Sequence, residues 1–442
     1  MPTFRPIEEL TEGPSADAVA DSAVARAEPN EPQKKLKAGY LVLLALAYFG
    51  AAMAGLVPSA YSLTLRVQQL APGHEEVLGF LTSIGSFAVV ILNPLLGMLS
   101  DRTQSRLGRR RPYMIGGTLL GLVGLLIIAV APTIVIVGIG WVIATVSLGM
   151  VLGAATFIQA DLLPESQRGR VSGLIGLTAQ IAPVVGVLLA SRFTSDNLLL
   201  FMIPGVIALL FVGTFLIFTK DDYKAPVTQL QRLTLPQIFR SYVFNPRQSP
   251  DFSWNWMGRF LFFSGLFINT TFSAFFYSQR LGIPVAAVAG VTAILGILGV
   301  GVATGGSVLS GYLSDKFRRR RLFVLIGAAL FACGAGVEAF ASSFPVLAVG
   351  SILMSLAMAA FFAVDQAICI ESLPNRDEAG RYFGILGFSQ KIPSAIAPLI
   401  ATGLVSIGAT SNYKNYTLAY LIGGMLGLAG GMIVFFKVRS IH

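Results

Sequence analysis

A short basic stretch between two apolar runs constrains this chain more than any other feature of its sequence. The stretch runs from Gly97 to Pro112, GMLSDRTQSRLGRRRP, and it holds five arginines and one acid, Asp101. A helix that crosses a lipid bilayer needs roughly 20 apolar residues, and both flanking runs are of this length. Because a helix satisfies its own backbone polar groups in lipid, the runs are predicted to be membrane helices. The stretch is then a tight loop, and its positive charge predicts a cytoplasmic location.

The composition agrees with a membrane protein. Of the 442 residues, 54% are hydrophobic and 12% are charged, whereas a soluble domain has about 25% charged residues. The net charge of +10 could indicate a nucleic-acid partner. However, the excess lies in short loops beside apolar runs, as orientation in a membrane requires, so we expect no nucleic acid. The two cysteines both lie within apolar runs, and they predict no disulfide framework.

The apolar runs and the basic loops together predict a topology. Twelve runs lie near residues 38–62, 77–99, 113–131, 134–160, 170–191, 197–219, 256–279, 285–313, 322–341, 345–370, 382–408 and 416–437. If successive loops alternate between the two sides, only Arg66, Arg192, Arg280 and Lys414 of the 32 basic residues lie outside. We therefore predict an all-α protein with twelve transmembrane helices in the plasma membrane and both termini in the cytoplasm.

The polar segments divide the chain into five parts. We expect a disordered cytoplasmic tail at 1–37, a six-helix bundle at 38–219, a cytoplasmic linker at 220–255, a second six-helix bundle at 256–437 and a short cytoplasmic tail at 438–442. The tail at 1–37 is acid-rich and lacks the apolar core of a signal peptide.

Two sets of short motifs recur in the two halves. The pattern Gly-x-Leu-Ser-Asp at 97–101 recurs at 311–315, which is 214 positions later. An acid-x-Leu-Pro pattern at 161–164 recurs at 371–374, and Gln-x-x-Pro at 180–183 recurs at 390–393, both 210 positions later. Two independent matches at similar spacing predict that the halves are structural repeats.

The loop also resembles a known family. Its Gly, Ser, Asp and Arg pattern is similar to the loop between helices two and three of the major facilitator superfamily, and the residues that carry the resemblance are Gly97, Ser100, Asp101, Arg102, Gly108, Arg109 and Arg110. The longer pattern, from Asn93-Pro94 to Pro112, resembles the glycoside–pentoside–hexuronide carriers and the plant sucrose carriers. This resemblance implies two pseudo-symmetric six-helix bundles with a small organic solute bound between them near the bilayer midplane. We expect a monomer.

Acids set among cations near helix ends are candidate gating residues. The resemblance implies a cytoplasmic gate between the halves, made by Asp101, Arg102, Arg109, Arg110, Asp315, Asp161 and Glu371. For the basic cluster alone, a topology signal with no moving part is the simpler interpretation. The acids that end the fourth and tenth helices need cationic partners, because a carboxylate is unfavourable at a helix C-terminus. Loop arginines that follow each acid are the expected partners, in an ordinary ion pair or as part of the gate.

Charged residues deep in the apolar runs are candidates for ion coupling, because a charge in the bilayer core is costly. Asp365 lies six residues before Glu371, about 9 Å deep, and Lys391 lies ten residues after Arg381, about 15 Å deep. We predict an Asp365–Lys391 pair that faces the bundle interior. It would either neutralise two buried charges, or hold and release a proton or bind an anionic or polyhydroxyl solute.

Uncharged polar and aromatic residues within the runs suit a sugar better than a cation. The candidate solute-binding residues are Gln180, Asn269, Thr270, Thr271, Tyr277, Gln390 and Tyr48. Each could equally join neighbouring helices by hydrogen bonds, as polar residues in membrane helices often do.

These features predict a secondary transporter that works by alternating access, most simply a sugar or glycoside carrier with proton symport. Glycoside–pentoside–hexuronide carriers usually have an acid before the proline of helix two, where this chain has Asn93, so sodium coupling is disfavoured. Proton-coupled efflux of amphipathic compounds is the alternative. We predict no enzymatic activity, cofactor or metal, because the sequence contains no phosphate loop and no metal-ligand cluster.

Overall fold

The computed structural model describes residues 36–438, except 104, 106, 220–245, 248, 318, 375–378 and 411–412. Twelve helices follow one another in this part of the chain. They are α1 (Ala38–Leu70), α2 (Glu76–Arg102), α3 (Arg111–Val130), α4 (Ile134–Leu162), α5 (Glu165–Ala190), α6 (Asn197–Phe218), α7a (Pro250–Thr271) with α7b (Ser273–Leu281), α8 (Val288–Phe317), α9 (Arg320–Ala339), α10 (Phe344–Glu371), α11 (Ala379–Ser406) and α12 (Tyr416–Lys437).

The helices have the length and composition that the apolar runs predicted. In the described residues, eleven are long and apolar enough to cross a membrane, and the bent pair α7a and α7b makes a twelfth. The predicted all-α class with twelve spans is therefore confirmed. The seventh helix begins at Pro250, earlier than the run predicted to begin at 256. Most of the predicted linker and both predicted tails lie outside the described residues.

Two helices break at equivalent points of the two halves. Helix α1 contains a π-helical turn from Pro58 to Ser62, at a proline that has no N–H to donate. The seventh helix bends by 52° at Phe272, which lies 214 positions after Pro58. Just before the bend, Thr271 donates a hydrogen bond to the carbonyl of Phe267, an arrangement that bends helices. The spacing of the two breaks equals that of the repeated Gly-x-Leu-Ser-Asp motif.

Each half has its own set of helix contacts. In the first half, α1 packs against α4, α5 and α6, while α3 packs against α4 and α6. In the second half, α7a packs against α11 and α12, while α9 packs against α10 and α12. Small residues allow the closest of these approaches. At the α7a–α12 crossing, a Cβ on Gly265 would overlap the carbonyl oxygen of Gly423.

The two halves meet mainly through α2 with α11 and α5 with α8. We call the end of the bundle that carries the loops at 103–110 and 318–319 the basic end, and the end with the turns at 71–75, 282–287 and 407–415 the neutral end. The halves touch near the neutral end. There, Tyr61 donates to the carbonyl of Ala286 at 2.7 Å, and Gly79 on α2 packs closely against Thr402 on α11.

Arginines tie helix ends together within each half. Arg66, at the end of α1, donates to the carbonyl oxygens of Ile128 and Ala131, where α3 ends. Arg280, on α7b, donates in the same way to the carbonyl of Ala339, where α9 ends. A cation at a helix C-terminus is favourable because it meets the negative end of the helix dipole. These contacts occur at equivalent positions of the two halves, 214 residues apart.

Candidate functional site

A cavity of about 440 Å³ lies between the two halves, on the basic-end side of their contact. We call it the central cavity. Helices α2, α3, α4 and α11 line it, so both halves contribute. Its polar lining residues are Asn93, Ser100, Tyr113 and Lys391, and its aromatic lining residues also include Phe157 and Phe388. Cavities of this volume hold small organic ligands, which typically contact apolar walls and a few polar groups.

Asn93 is positioned by the backbone around it. It precedes Pro94 in α2, and Gly149 on α4 faces its side chain. A Cβ at Gly149 would lie 2.5 Å from the Asn93 Nδ2 atom, so a side chain larger than hydrogen there would displace the amide. The Oδ1 atom of Asn93 is buried and accepts no hydrogen bond from the described residues. This oxygen is available to a donor such as a solute hydroxyl.

The wall nearest the basic end is held by Arg110. Its guanidinium donates to the Ser100 hydroxyl at 3.1 Å and lies 4.6 Å from the centroid of the Phe157 ring. Arg110 is buried, and its repeat-related neighbour Ser314 is buried as Ser100 is. The repeated Gly-x-Leu-Ser-Asp motif thus places an equivalent serine in the interior of each half.

The other predicted gating residues are only partly within the described structure. The side chains of Asp101, Arg102, Asp161 and Asp315 lie outside it. Arg109 is described and has an interaction partner. Glu371 pairs with Arg320, at the start of α9. The expectation that an arginine following Glu371 in its own loop would be its partner is therefore wrong, because the turn of α9 that begins at Arg320 lies beside the end of α10.

A buried polar cluster joins α7a, α10 and α11 in the second half. Asp365 on α10 accepts a hydrogen bond from the Arg259 guanidinium on α7a, and the two residues are 3% and 6% exposed. Arg259 also donates through Nε to the Ser389 hydroxyl on α11 at 3.0 Å. Its Nη1 atom lies 3.0 Å from the Cys369 sulfur. The guanidinium thus compensates the buried carboxylate, and it also fixes the mutual positions of three helices.

The predicted Asp365–Lys391 pair is wrong. Asp365 pairs with Arg259, and Lys391 lines the central cavity. On α11, Ser389 faces the buried cluster, and a residue two positions further along a helix lies about 200° around its axis. Lys391 therefore faces away from the cluster. It makes no ion pair within the described part of the chain.

The seven predicted solute-binding residues do not converge on one cavity, and none of them lines the central cavity. Asn269 is buried at the α7a–α12 crossing, where its Oδ1 atom would overlap a Cβ on Gly423. Thr270 and Thr271 donate to backbone carbonyls of their own helix. Tyr277 interacts with Tyr420. The remaining three are exposed or half-buried in α1, α5 and α11, and they are Tyr48, Gln180 and Gln390.

The sequence analysis missed a polar contact between the halves at the neutral end. The Lys414 ammonium, in the turn before α12, lies 3.1 Å from the Glu76 carboxylate at the start of α2. The backbone of Lys414 is held on both sides by the Gln279 side chain, which donates to its carbonyl and accepts from its N–H, each at 3.0 Å. A signal for this contact existed, since Lys414 is one of very few cations on that side.

Fold and cavity together define a multi-pass helical membrane protein with a cavity between two repeated halves. A family model described as Major Facilitator Superfamily matches residues 40–307 and 301–441. The chain therefore belongs to the major facilitator superfamily, and the resemblance of its 97–112 loop to that family is confirmed.

Two curated relatives act on sugars by name. The general alpha-glucoside permease of Schizosaccharomyces pombe is 23% identical over 233 residues, which cover 46% of this chain and 41% of the relative. The lactose permease of Lactobacillus delbrueckii subsp. bulgaricus is 26% identical over 309 residues, which cover 63% of this chain and 46% of the relative. The chain thus spans less than half the length of these relatives.

Solved structures share the fold at low sequence identity. A crystal structure of the nucleoside transporter NupG superposes with a TM-score of 0.74 and 14% identity, covering 90% of this chain and all of NupG. A bacterial homologue of the human lysosomal transporter Spinster, in an inward-facing unoccupied conformation, gives a TM-score of 0.67 and 15% identity, covering 91% of this chain and 97% of the homologue. All four relatives are described as permeases or transporters, in agreement with the expectation that the chain is not an enzyme.

Proposed function

We propose that the protein is a secondary transporter that moves a sugar or glycoside together with a proton by alternating access. The observation that carries this proposal is the central cavity, because both halves line it and their contact near the neutral end closes one side of it. A rocking motion of the halves would expose such a cavity to each side of the membrane in turn. The neutral end would face outward and the basic end the cytoplasm, as the positive-inside rule requires.

The cavity lining supports a polyhydroxyl solute. Tyr113, Phe157 and Phe388 supply ring faces against which a sugar ring can pack, while the amide of Asn93 and the ammonium of Lys391 supply an acceptor and donors. The alpha-glucoside and lactose permeases among the relatives support the same solute class. In this proposal Lys391 contacts solute, and it has no part in an ion pair with Asp365.

Asp365 is the proposed proton carrier. A buried carboxylate is stable only while a cation compensates it, and Arg259 alone supplies that charge among the described residues. A movement of α7a relative to α10 would separate the pair and favour protonation of Asp365. Because the cluster also joins α11, which packs against α2 across the cleft, protonation would be linked to the motion of the halves.

Counterflow in reconstituted vesicles tests the transport activity and its solute. Purified protein in liposomes preloaded with unlabelled sucrose or maltose should transiently concentrate the labelled sugar from outside. Protein-free liposomes and a glucitol-loaded set are the controls. Counterflow that is indistinguishable from these controls, across a panel of mono- and disaccharides, would exclude a sugar carrier.

Efflux of amphipathic compounds is the second proposed function, and one feature of the cavity favours it. Met98 and Met150 line the cavity beside the aromatic rings, and methionine adapts to ligands of varied shape. Proton-dependent extrusion of a cationic dye from inverted vesicles, without sugar counterflow, would select this function over the first.

A further inference from the structure

The contact between the halves at the neutral end contains three charged groups, of which only two are hydrogen-bonded to each other. Lys414 of the second half binds Glu76 of the first half at 3.1 Å. Glu75, the residue before Glu76, lies beside the same ammonium. Its Oε2 atom is buried and accepts no hydrogen bond from the described residues. One cation thus faces two carboxyl groups at the interface.

We propose that Glu75, Glu76 and Lys414 form a proton-dependent latch, which holds the neutral end closed while Glu75 is protonated and weakens when Glu75 is ionised. We call these three residues the neutral-end latch. This proposal rests on the alternation proposed above, but it is independent of which solute is carried. The proton enters from solution at the neutral end and returns there on opening, so no proton crosses the membrane by this route.

The charge balance of the closed state gives the reason. With Glu75 neutral, one ammonium meets one carboxylate. With Glu75 ionised, a second negative charge would lie in a partly dehydrated site, beside Glu76 and with one oxygen lacking a donor. Charge in such a site is costly unless it is paired and hydrogen-bonded. In the open state water reaches both acids, and both are ionised at neutral pH.

The pKa of Glu75 agrees with this balance. Burial raises it from 4.5 to about 7, while the Lys414 charge acts in the opposite direction and the Glu76 charge raises it further. In the open state, we expect the pKa near its ordinary value. The closed state therefore binds the proton more tightly, so closure is favoured at low pH and is lost as the pH rises through about 7.

Other titratable groups around the latch are accounted for. His74 accepts or donates at 2.9 Å to Glu76, and its side chain is 71% exposed. Arg66 and Arg280 are bound to the ends of α3 and α9. Tyr413 is exposed, and Gln279, which holds the Lys414 backbone, is neutral. His74 is the one group here with an ordinary pKa near neutrality, so it is the necessary control.

Electron spin resonance distance measurements test the latch without any solute. Spin labels at Gln68→Cys, in the first half, and Ile407→Cys, in the second, report the separation of the neutral ends. Both sites are exposed, and the exposed native cysteine is removed by Cys333→Ala. In lipid nanodiscs, the ratio of closed to open populations should fall by about tenfold or more between about pH 5.5 and about pH 8.5.

Variants then assign the response. Glu75→Gln should stay mainly closed across this range, whereas His74→Asn should titrate as the wild type does. Lys414→Gln should be more open than the wild type at about pH 8.5. The proposal is overturned if Glu75→Gln titrates like the wild type, if His74→Asn abolishes the response, or if the wild type shows one fixed distance. Two populations that ignore pH overturn the latch and leave alternation standing, whereas failed sugar counterflow with a normal pH response overturns only the sugar-carrier proposal.

Discussion

Asp365 and Arg259 form a buried ion pair that joins α10 to α7a, and Ser389 of α11 hydrogen-bonds to the same guanidinium. The first half has no counterpart, since the positions 210 residues before Asp365 and Arg259 are Ala155 and Phe49. The pair is therefore a specialised feature of one repeat, and it is where a coupling residue is most reasonably sought.

Replacing Asp365 should separate coupling from exchange. In Asp365→Asn, proton-driven accumulation should be lost while counterflow persists, because the variant can no longer exchange a proton but keeps the cavity. Accumulation and counterflow of the same labelled sugar are measured in one vesicle preparation, with Cys369→Ser as the neighbouring control. Full accumulation by Asp365→Asn would remove this residue from the mechanism.

The same pair should dominate the stability of the second half. Asp365→Asn alone leaves the Arg259 charge buried and uncompensated, and removal of one partner of a buried pair costs about 3–5 kcal/mol. The double variant Arg259→Met with Asp365→Leu should recover most of that loss, since apolar residues replace both charges. Thermal unfolding in detergent checks this, and a double variant less stable than Asp365→Asn would contradict it.

Lys391 should affect solute affinity but not stability. It lines the central cavity and makes no ion pair within the described residues, so Lys391→Gln removes donors from the cavity without leaving a buried charge. We expect a KM for sugar uptake that is raised about tenfold or more, the loss of one charged hydrogen bond, with an unchanged unfolding temperature. Gln390→Ala, one position away and outside the cavity lining, is the control. An unchanged KM in Lys391→Gln would exclude the contact.

A pair of glycine substitutions tests the helix packing. Gly265→Ala would drive a methyl group into the backbone of Gly423 at the α7a–α12 crossing, whereas a Cβ on Gly301 in α8 meets no atom within 4 Å. Overpacking costs about 1–3 kcal/mol. Gly265→Ala should therefore lower the unfolding temperature and Gly301→Ala should not. Equal melting of both variants would contradict the close approach of α7a to α12.

The arginine contacts at helix ends give a matched test in each half. Arg66→Ala and Arg280→Ala should each destabilise by about 1–2 kcal/mol, since each removes a cation from a helix C-terminus. Arg192→Ala, which changes an exposed arginine at the same end, should have no effect. The comparison uses unfolding temperatures of the three variants, and a larger effect at Arg192 would show that these contacts are unimportant.

Much of the fold followed from the sequence because apolar length and loop charge act along the chain. The depth of Asp365 and Lys391 could be read in the same way, from residues counted in from the helix end. Which face of a helix each residue occupies relative to its neighbours depends on packing between distant segments. That is why Lys391 was assigned to the wrong partner, and why Arg259, buried at the inner end of α7a, was not recognised as the counterion.

The neutral end shows the same division between local and distant information. The scarcity of cations there is a local property, and the sequence revealed it. The pairing of Glu76 with Lys414 joins residues 338 positions apart, and only the folded chain brings them together. Glu371 and Arg320 are separated by 51 positions and were missed for the same reason.

The attachment of Arg66 and Arg280 to the ends of α3 and α9 also bears on how the chain is inserted. A guanidinium sequestered by main-chain oxygens is hidden from phospholipid phosphates. Lys414 is likewise engaged, so Arg192 is the one lysine or arginine of the neutral end, in the described residues, that is exposed. The electrostatic difference between the two membrane surfaces of the folded protein is thus steeper than residue counting alone implies.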